Sequence, residues 1–261
     1  MPIDTALVGA LHVDYIGMRD LAGGESLHHT LFQTSTIDAL LDGNYDGDVS
    51  FAELEEQGDF GLGTFDALDG EMIALDGNFY QIRADGGTCQ VDRGTKTPFA
   101  VVTTFEPGLS QTLDTAMDLA ALCARVDELL ADASICCAVR VDGHFEHVRT
   151  RSVPRQRKPY PPLVEAVENQ PVFELYDVQG SLVGFRFPDY AQGLNVAGYH
   201  FHFITRDRRS GGHVLECLLT NGELEVDHEA DLRVELPSGI SLPVPGQTEA
   251  KRETLDRIEK G

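Results

Sequence analysis

The sequence predicts an α+β fold, because candidate strands and helices follow one another without the regular alternation that builds a parallel sheet. Hairpin signals recur along the chain, most clearly the Asp-Gly pairs at residues 76–77 and 142–143. Helical periodicity is confined to a few segments, of which residues 110–131 are the clearest. We expect two sheet-based halves, a mixed β-sheet N-terminal domain (residues 1–132) and a β-barrel-like C-terminal domain (residues 133–261).

The N-terminal half is predicted to begin with short helical segments and to continue as strands. Residues 28–57 read as a helical segment, a loop and a second short helical segment, which the glycine-rich residues 58–63 end. A hairpin turn is expected at Asp76-Gly77-Asn78. The predicted strands are residues 72–75, 79–83 and 99–105. An amphipathic helix then runs from its candidate N-cap Ser110 to Ala131, and it is the longest helix expected.

Short strands dominate the predicted C-terminal half. Alternating runs at residues 135–141 and 145–151 flank Asp142-Gly143 and predict a hairpin. A short helix is expected at residues 163–168 and a polar helix at about 248–260. The remaining predicted strands are residues 172–176, 182–187, 199–204, 213–219, 223–226 and 232–235.

The composition excludes several classes of protein. The chain of 261 residues carries 43 acidic and 20 basic residues, a formal charge of −23, whose field opposes binding to nucleic acid. No apolar run is long enough for a membrane span, and the N-terminus has no basic segment of a secretory signal, so a cytoplasmic location is expected. The five cysteines lack metal-binding spacing and are predicted to be reduced thiols. An anionic substrate would need a site with its own positive charge.

Three histidines form the most informative pattern in the chain. His200 and His202 are two residues apart, so both point to the same face of a strand. Residues 205–212 are polar and end in two glycines, which predicts a hairpin loop that returns His213 beside them. The alternative is that these are unrelated histidines on a half-exposed hairpin. Because three neutral imidazoles are the usual protein part of a catalytic zinc site, their convergent spacing favours a metal site.

A second motif suggests a different metal. Residues 42–53 fit the calcium loop of an EF-hand at every specified position, including Gly47 and Glu53. An EF-hand also needs a sizeable helix after the loop, whereas Gly58 follows closely, and the chain has no second copy. The flanking sequence therefore favours a structural loop over a calcium site.

Five segments taken together resemble the alpha-acetolactate decarboxylase family. They are residues 61–72 (GLGTFDALDGEM), 149–154 (RTRSVP), 158–160 (KPY), 193–204 (GLNVAGYHFHFI) and 211–213 (GGH). Each segment is a weak signal alone, but their order makes the resemblance specific, and it extends over about residues 20–240. The resemblance implies a Zn²⁺-dependent enzyme, usually a homodimer, cytoplasmic or secreted, that converts 2-acetolactate into acetoin and carbon dioxide.

The resemblance also implies roles for individual residues. The three metal-binding histidines of the family correspond to His200, His202 and His213. The active-site arginine falls on Arg151, and a first glutamate falls on Glu71. A second glutamate, close to the C-terminus, falls on Glu259, with Glu253 and Glu249 as nearby alternatives.

The chemistry of such a site can be argued from the residues. Loss of carbon dioxide from a β-keto acid leaves an electron pair, which zinc can stabilise by binding the hydroxyl and keto oxygens of the substrate and the resulting enediolate. Arg151 would hold the substrate carboxylate, and Glu71 or Glu259 would deliver a proton. Without the resemblance, Arg151 could equally belong to a solvated basic loop, and both glutamates would ordinarily be surface residues.

Two other function classes remain open at this point. A cupin-like metal oxygenase or isomerase also uses two histidines at this spacing, but it normally has a glutamate where this chain has Arg206. A non-catalytic calcium-binding or small-ligand-binding protein would use residues 42–53 instead.

Overall fold

The computed structural model describes residues 12–15, 29–130, 132, 134–229, 231–237, 239–240 and 248–260. The strands are β1 His12–Tyr15, β2 Thr30–Thr34, β3 Val49–Ser50, β4 Phe60–Thr64, β5 Glu71–Leu75, β6 Asn78–Ile82, β7 Thr88–Gln90, β8 Lys96–Thr97, β9 Ala100–Thr103, β10 Leu109–Leu113, β11 Met117–Asp118, β12 Cys136–Arg151, β13 Val172–Phe187, β14 Gly198–Thr205, β15 Gly211–Glu229 and β16 Asp231–Glu235. The α-helices are α1 Ile37–Leu41, α2 Phe51–Glu55, α3 Leu119–Leu129, α4 Leu163–Ala166 and α5 Thr248–Lys260. Short 3₁₀ helices cover Asp66–Leu68 and Asp189–Ala191.

Two large sheets carry most of these strands. The first has eight strands in the order β1-β16-β2-β9-β4-β5-β6-β7, and it is mixed because β16 pairs parallel to β2. The second has six strands, five of which lie side by side in the order β10-β15-β12-β13-β14. The sixth strand, β11, pairs with β15, and β14 also pairs with β15. The predicted α+β class is confirmed. The barrel-like form of the C-terminal half and the domain boundary at residue 132 stay predictions.

The two sheets share one apolar core. Phe60 of β4 packs edge-on against Phe185 of β13, with ring centroids 5.9 Å apart, and both belong to the largest cluster of buried apolar residues. A second cluster lies on the other side of the six-stranded sheet, where Phe203 of β14 packs against Phe145. Alternate residues of β14 therefore point to different sides, so that the histidines of this strand lie on the face opposite Phe201 and Phe203.

The hairpin predicted at Asp142-Gly143 is wrong. Residues 136–151 form a single strand, β12, in which Gly143 lies directly opposite Gly180 of β13 and Gly222 of β15. A Cβ atom on Gly143 would lie 2.5 Å from the backbone oxygen of Asn221. The glycines thus allow three long strands to approach closely at a register shift, and they do not reverse the chain. For the same reason, the short strands predicted around residues 180 and 222 are parts of the continuous strands β13 and β15.

The predicted start of the long amphipathic helix is also wrong. Helix α3 begins at Leu119, and its N-cap is Asp118, whose Oδ1 accepts a hydrogen bond from the backbone of Ala121. Ser110 lies in β10 and pairs with Glu225, because an open edge of β15 offers these residues a backbone partner. Within the described residues, α5 is longer than α3, with 13 residues against 11. None of the described helices has the length and apolarity to span a membrane.

The N-terminal predictions are confirmed in part. The hairpin between β5 and β6 turns at Asp76 and Gly77, which both adopt positive φ angles, 52° and 71°. The two short helices expected within residues 28–57 are α1 and α2, but residues 30–34 form strand β2, which lies between β16 and β9. Residue 28 lies outside the described residues.

Candidate metal centre

The histidine hairpin is confirmed. His200 and His202 lie on β14, His213 lies near the start of β15, and His202 and His213 are register partners. Their ring centroids are 4.8 to 5.4 Å apart, and one ligand atom from each residue lies within 4.8 Å of the others. All three side chains are buried. Among the described residues, this is the one group of three or more histidine, cysteine or acidic side chains that could hold a metal ion.

Gly212 brings this hairpin against the end of β12. It has a φ angle of 136°, and a Cβ atom there would lie 2.4 Å from the backbone oxygen of Arg151. The hydroxyl of Thr150 donates a hydrogen bond of 2.9 Å to the backbone oxygen of Gly211. As a result Arg151 becomes the register partner of His213, and its side chain reaches the same buried space.

The orientation of His202 is fixed by the other sheet. Its Nδ1 atom lies 2.8 Å from the backbone oxygen of Met72 on β5, an acceptor that requires the proton to be on Nδ1. The Nε2 atom then keeps its lone pair, and it is buried with no hydrogen-bond partner among the described residues. An imidazole that donates one nitrogen to a carbonyl and presents the other is the usual arrangement of a metal ligand. The donor set therefore fits a divalent cation.

Burial keeps these rings neutral. Loss of hydration, assisted by the positive charge of Arg151, lowers the pKa of His200 to about 3. Burial likewise lowers the pKa values of His202 and His213 well below the ordinary value. Neutral imidazoles are the protonation state that binds metal, so proton release need not accompany ligation at neutral pH.

Two glutamates from different elements of the fold reach the histidines. Glu71 begins β5, directly after Gly70 with its positive φ angle, and its Oε2 lies 3.4 Å from Nε2 of His202. Glu259 is on α5, where its Oε2 lies 3.6 Å from Nε2 of His213 and 3.7 Å from Nε2 of His200. The structure thus brings both predicted glutamates to the histidine cluster. By contrast Glu253, the alternative on the same helix, is exposed.

The pKa of Glu71 depends on its burial and on two charged neighbours. Burial raises the pKa of Glu71 to about 8, and the charge of Arg151 opposes that rise while the charge of Glu259 adds to it. Arg151 is 3% exposed, and its Nη2 lies 3.8 Å from Oε1 of Glu259. Glu71 can therefore carry a proton near neutral pH, beside a buried positive charge.

The remaining walls of the cavity are mostly apolar. The cavity is small, about 50 Å³, and lies where the two sheets meet helices α1, α4 and α5. Its apolar lining includes Ile37, Leu40, Leu68, Phe99, Leu163 and Ile258. Such walls exclude water and strengthen electrostatic interactions inside the cavity.

Two contacts of the site could not be found from sequence. The acceptor for His202 is the backbone carbonyl of Met72, which has no sequence signature. The side chain of Gln170, in the loop before β13, accepts a hydrogen bond from Nη1 of Arg151 at 3.2 Å. A polar residue in a proline-flanked loop gives no signal of such a contact.

The loop that resembles an EF-hand has a structural role. Asp46 accepts hydrogen bonds from Nζ of Lys158 at 2.6 Å and from the hydroxyl of Tyr160 at 3.1 Å. Glu53 and Ser50 form the capping box of helix α2. These carboxylates are used by protein donors, as the prediction of a structural loop requires.

Comparisons with known proteins agree on one family. A sequence model of the family described as alpha-acetolactate decarboxylase matches residues 31–241. The chain is 51% identical over 209 residues to an alpha-acetolactate decarboxylase of Methylococcus capsulatus, covering 80% of each chain, and 46% identical over 230 residues to one of Methanosarcina mazei, covering 88% of this chain and 80% of the relative. The crystal structure of the alpha-acetolactate decarboxylase from Bacillus subtilis strain 168 superimposes with a TM-score of 0.84 at 38% identity, covering 89% of this chain and 99% of that one.

Proposed function

The chain belongs to the alpha-acetolactate decarboxylase family and is a carboxy-lyase of that kind, and from this premise we propose that it uses zinc held by His200, His202 and His213. The substrate is 2-acetolactate, and the products are acetoin and carbon dioxide. The observation that carries the metal proposal is the convergence of three buried, neutral imidazoles, one of which is fixed by a backbone carbonyl with its other nitrogen unpartnered among the described residues. Zinc is favoured because imidazole ligands with open positions suit it.

When bound, zinc would supply a Lewis acid for the keto oxygen next to the bond that breaks. The bond that breaks joins the hydroxyl-bearing carbon of the substrate to its carboxyl carbon. Carbon dioxide leaves, the electron pair of that bond is delocalised into the neighbouring carbonyl, and a proton must then be added to carbon. The chain has to bind the carboxylate, exclude water and deliver this proton.

Arg151 is the residue that we assign to the substrate carboxylate. Its guanidinium is buried beside the histidines, and Nε is buried with no hydrogen-bond partner among the described residues. A guanidinium can donate two parallel hydrogen bonds to a carboxylate. Arg151 also supplies the local positive charge that an anionic substrate needs in a protein of formal charge −23.

Glu71 and Glu259 are the candidate proton donors. Both lie within 4 Å of a histidine of the cluster, Glu71 beside His202 and Glu259 beside His213. The raised pKa of Glu71 favours its protonated form near neutral pH, which a general acid requires. Glu259 lies between Arg151 and the histidines, and it can position the substrate or relay the proton.

The proposal is tested by metal analysis and an assay on the same preparation. We expect about one zinc per chain, and release of acetoin from racemic 2-acetolactate that stops when the zinc is removed by a chelator and returns when zinc is restored. Iron or manganese with no decarboxylation would favour the cupin-like alternative. Calcium alone would favour the calcium-binding alternative.

Replacement of Arg151 separates binding from metal ligation. We expect Arg151→Ala to keep its zinc and to lose turnover by at least about 100-fold, because a charged hydrogen-bonding partner of the substrate is lost. Zinc content and the rate of acetoin release measure the two effects. Unchanged decarboxylation by this variant would contradict the assignment.

A homodimer is also part of the proposal, because the resemblance to the family implies one. The mass of the purified protein in solution, measured by light scattering, tests the dimer.

A further inference from the structure

Among the described residues, Gln170 is the one neutral side chain that hydrogen-bonds the buried guanidinium of Arg151. Nη1 of Arg151 donates to Oε1 of Gln170 at 3.2 Å, while the nearest carboxylate oxygen, Oε1 of Glu259, lies 3.8 Å from Nη2. Nε of Arg151 has no hydrogen-bond partner among the described residues. The guanidinium is thus held at one nitrogen by an amide, and other N–H groups remain available to a ligand.

The position of Gln170 is fixed by the backbone on both sides. Val172 is the antiparallel register partner of Arg151, which places Gln170 two residues before that pair. The backbone N–H of Ser152 donates to the carbonyl of Pro171 at 3.3 Å, and the backbone N–H of Gln170 donates to the carbonyl of Val167 at 3.2 Å. The loop that carries the amide is therefore tied directly to the strand end that carries Arg151.

The chemistry of the acceptor matters because the site is buried. A carboxylate at this position would form an ion pair with Arg151 and neutralise the charge that an anionic substrate needs. An amide oxygen satisfies one N–H and fixes the plane of the guanidinium without adding negative charge. The carboxylate of Glu259 already lies 3.8 Å from Nη2 of Arg151, so a second carboxylate would weaken the field for a carboxylate ligand further.

We propose that Gln170 is a positioning residue that orients Arg151 for the substrate carboxylate without adding a negative charge beside it. The inference rests on the proposed function, in which Arg151 binds that carboxylate. It assigns Gln170 to the recognition of anionic ligands and not to the binding of the metal or of the oxygens of the substrate.

Two nearly isosteric variants test the two parts of this role. Gln170→Met removes the acceptor, and Gln170→Glu replaces it with a carboxylate. For each we would measure zinc content, thermal melting, KM and kcat on 2-acetolactate, and inhibition by a 2,3-dihydroxy acid and by the matching vicinal diol, which lacks the carboxylate. Gln179→Met and Gln179→Glu are matched controls, because Gln179 is exposed on β13 and likewise accepts a hydrogen bond from an arginine, Arg206.

We expect both Gln170 variants to keep their zinc and to bind the diol within about 2-fold of wild type, while the dihydroxy acid binds about 10-fold more weakly to Gln170→Met. For Gln170→Glu we expect a loss of about 30-fold or more for the acid and a corresponding rise in KM, since the new carboxylate competes for Arg151. The Gln179 variants should bind both inhibitors as wild type does.

Equal weakening of the acid and the diol, or a loss of zinc, would assign Gln170 a merely structural role and overturn the inference. Unchanged binding of the acid in both variants would overturn it as well. Failure of the proposed function is a separate result, because it would be seen as absence of acetoin release by the wild-type protein.

Discussion

Two regions of this molecule have sequences typical of metal sites, and they differ in what surrounds their ligand atoms. Residues 42–53 offer several carboxylates in a short exposed loop, whereas the histidine hairpin offers three imidazoles from two strands. In the loop, Asp42 pairs with Lys251 at 2.7 Å, and Asp46 pairs with Lys158 at 2.6 Å. In the hairpin, by contrast, the imidazoles converge on one another: Nε2 of His200 lies 3.0 Å from Nδ1 of His213, and Nε2 of His202 is buried with no hydrogen-bond partner among the described residues. Ligand identity and spacing therefore do not make a metal site unless the fold keeps the donors free.

The largest expected effect is the loss of metal and activity when a histidine of the cluster is replaced, compared with the replacement of a histidine outside it. We expect His202→Ala to lose its zinc and to lower decarboxylation by at least about 100-fold, because the ligand fixed by the Met72 carbonyl is gone. His144→Ala is the control, since His144 bonds Thr220 and Asp177 outside the site. Zinc content and acetoin release are the measurements. Retention of zinc by His202→Ala would contradict the assignment of His202 as a metal ligand.

The next effect distinguishes two glutamates on helix α5. We expect Glu259→Gln to retain zinc and to lose about 10²- to 10⁴-fold in kcat, the usual range for a group that takes part in proton transfer. Glu253→Gln should have wild-type rates, because Glu253 is exposed on the same helix. Steady-state kinetics on both variants measures the two kcat values. Equal rates for the two variants would show that proximity to the histidines has no catalytic consequence.

The smallest expected effect is in the loop and depends on pH. Hydrogen bonds from Lys158 and Tyr160 lower the pKa of Asp46 below its ordinary value of 3.8. The stabilisation that they provide is present above the pKa of the unfolded chain and is lost as the pH falls through the lowered folded value. Asp46→Asn should thus melt slightly below wild type at pH 7 and equally with it at about pH 2.

The same melting experiment with added calcium tests whether the loop binds this ion. Added calcium should leave the melting temperature of wild type and Asp46→Asn unchanged, because Asp42, Asp46 and Glu53 already have protein partners. A rise in the melting temperature of wild type that Asp46→Asn lacks would show that the loop binds calcium after all.

Local elements were predictable where short-range patterns determine them. The hairpin of β14 and β15 follows from alternation in the strand and from the polar loop that two glycines end. The turn at Asp76-Gly77 follows from the Asp-Gly pair, which favours the positive φ angles that both residues adopt. The same rule failed at Asp142-Gly143, because glycine also permits close approach of neighbouring strands. Ser110 failed as an N-cap because a backbone partner on β15 competed with helix formation. Neither competing partner is visible in a local window of sequence.

The sequence by itself determined that three imidazoles lie on one side of a hairpin, because the period of a strand and the turn chemistry are local properties. Only the tertiary structure decided what surrounds them. Glu71 comes from the other sheet, Glu259 lies 46 residues beyond His213, and Gln170 reaches Arg151 across a strand pair. These contacts depend on how the sheets pack and on which donors burial leaves unpaired. No periodicity in the chain encodes the packing or the pairing.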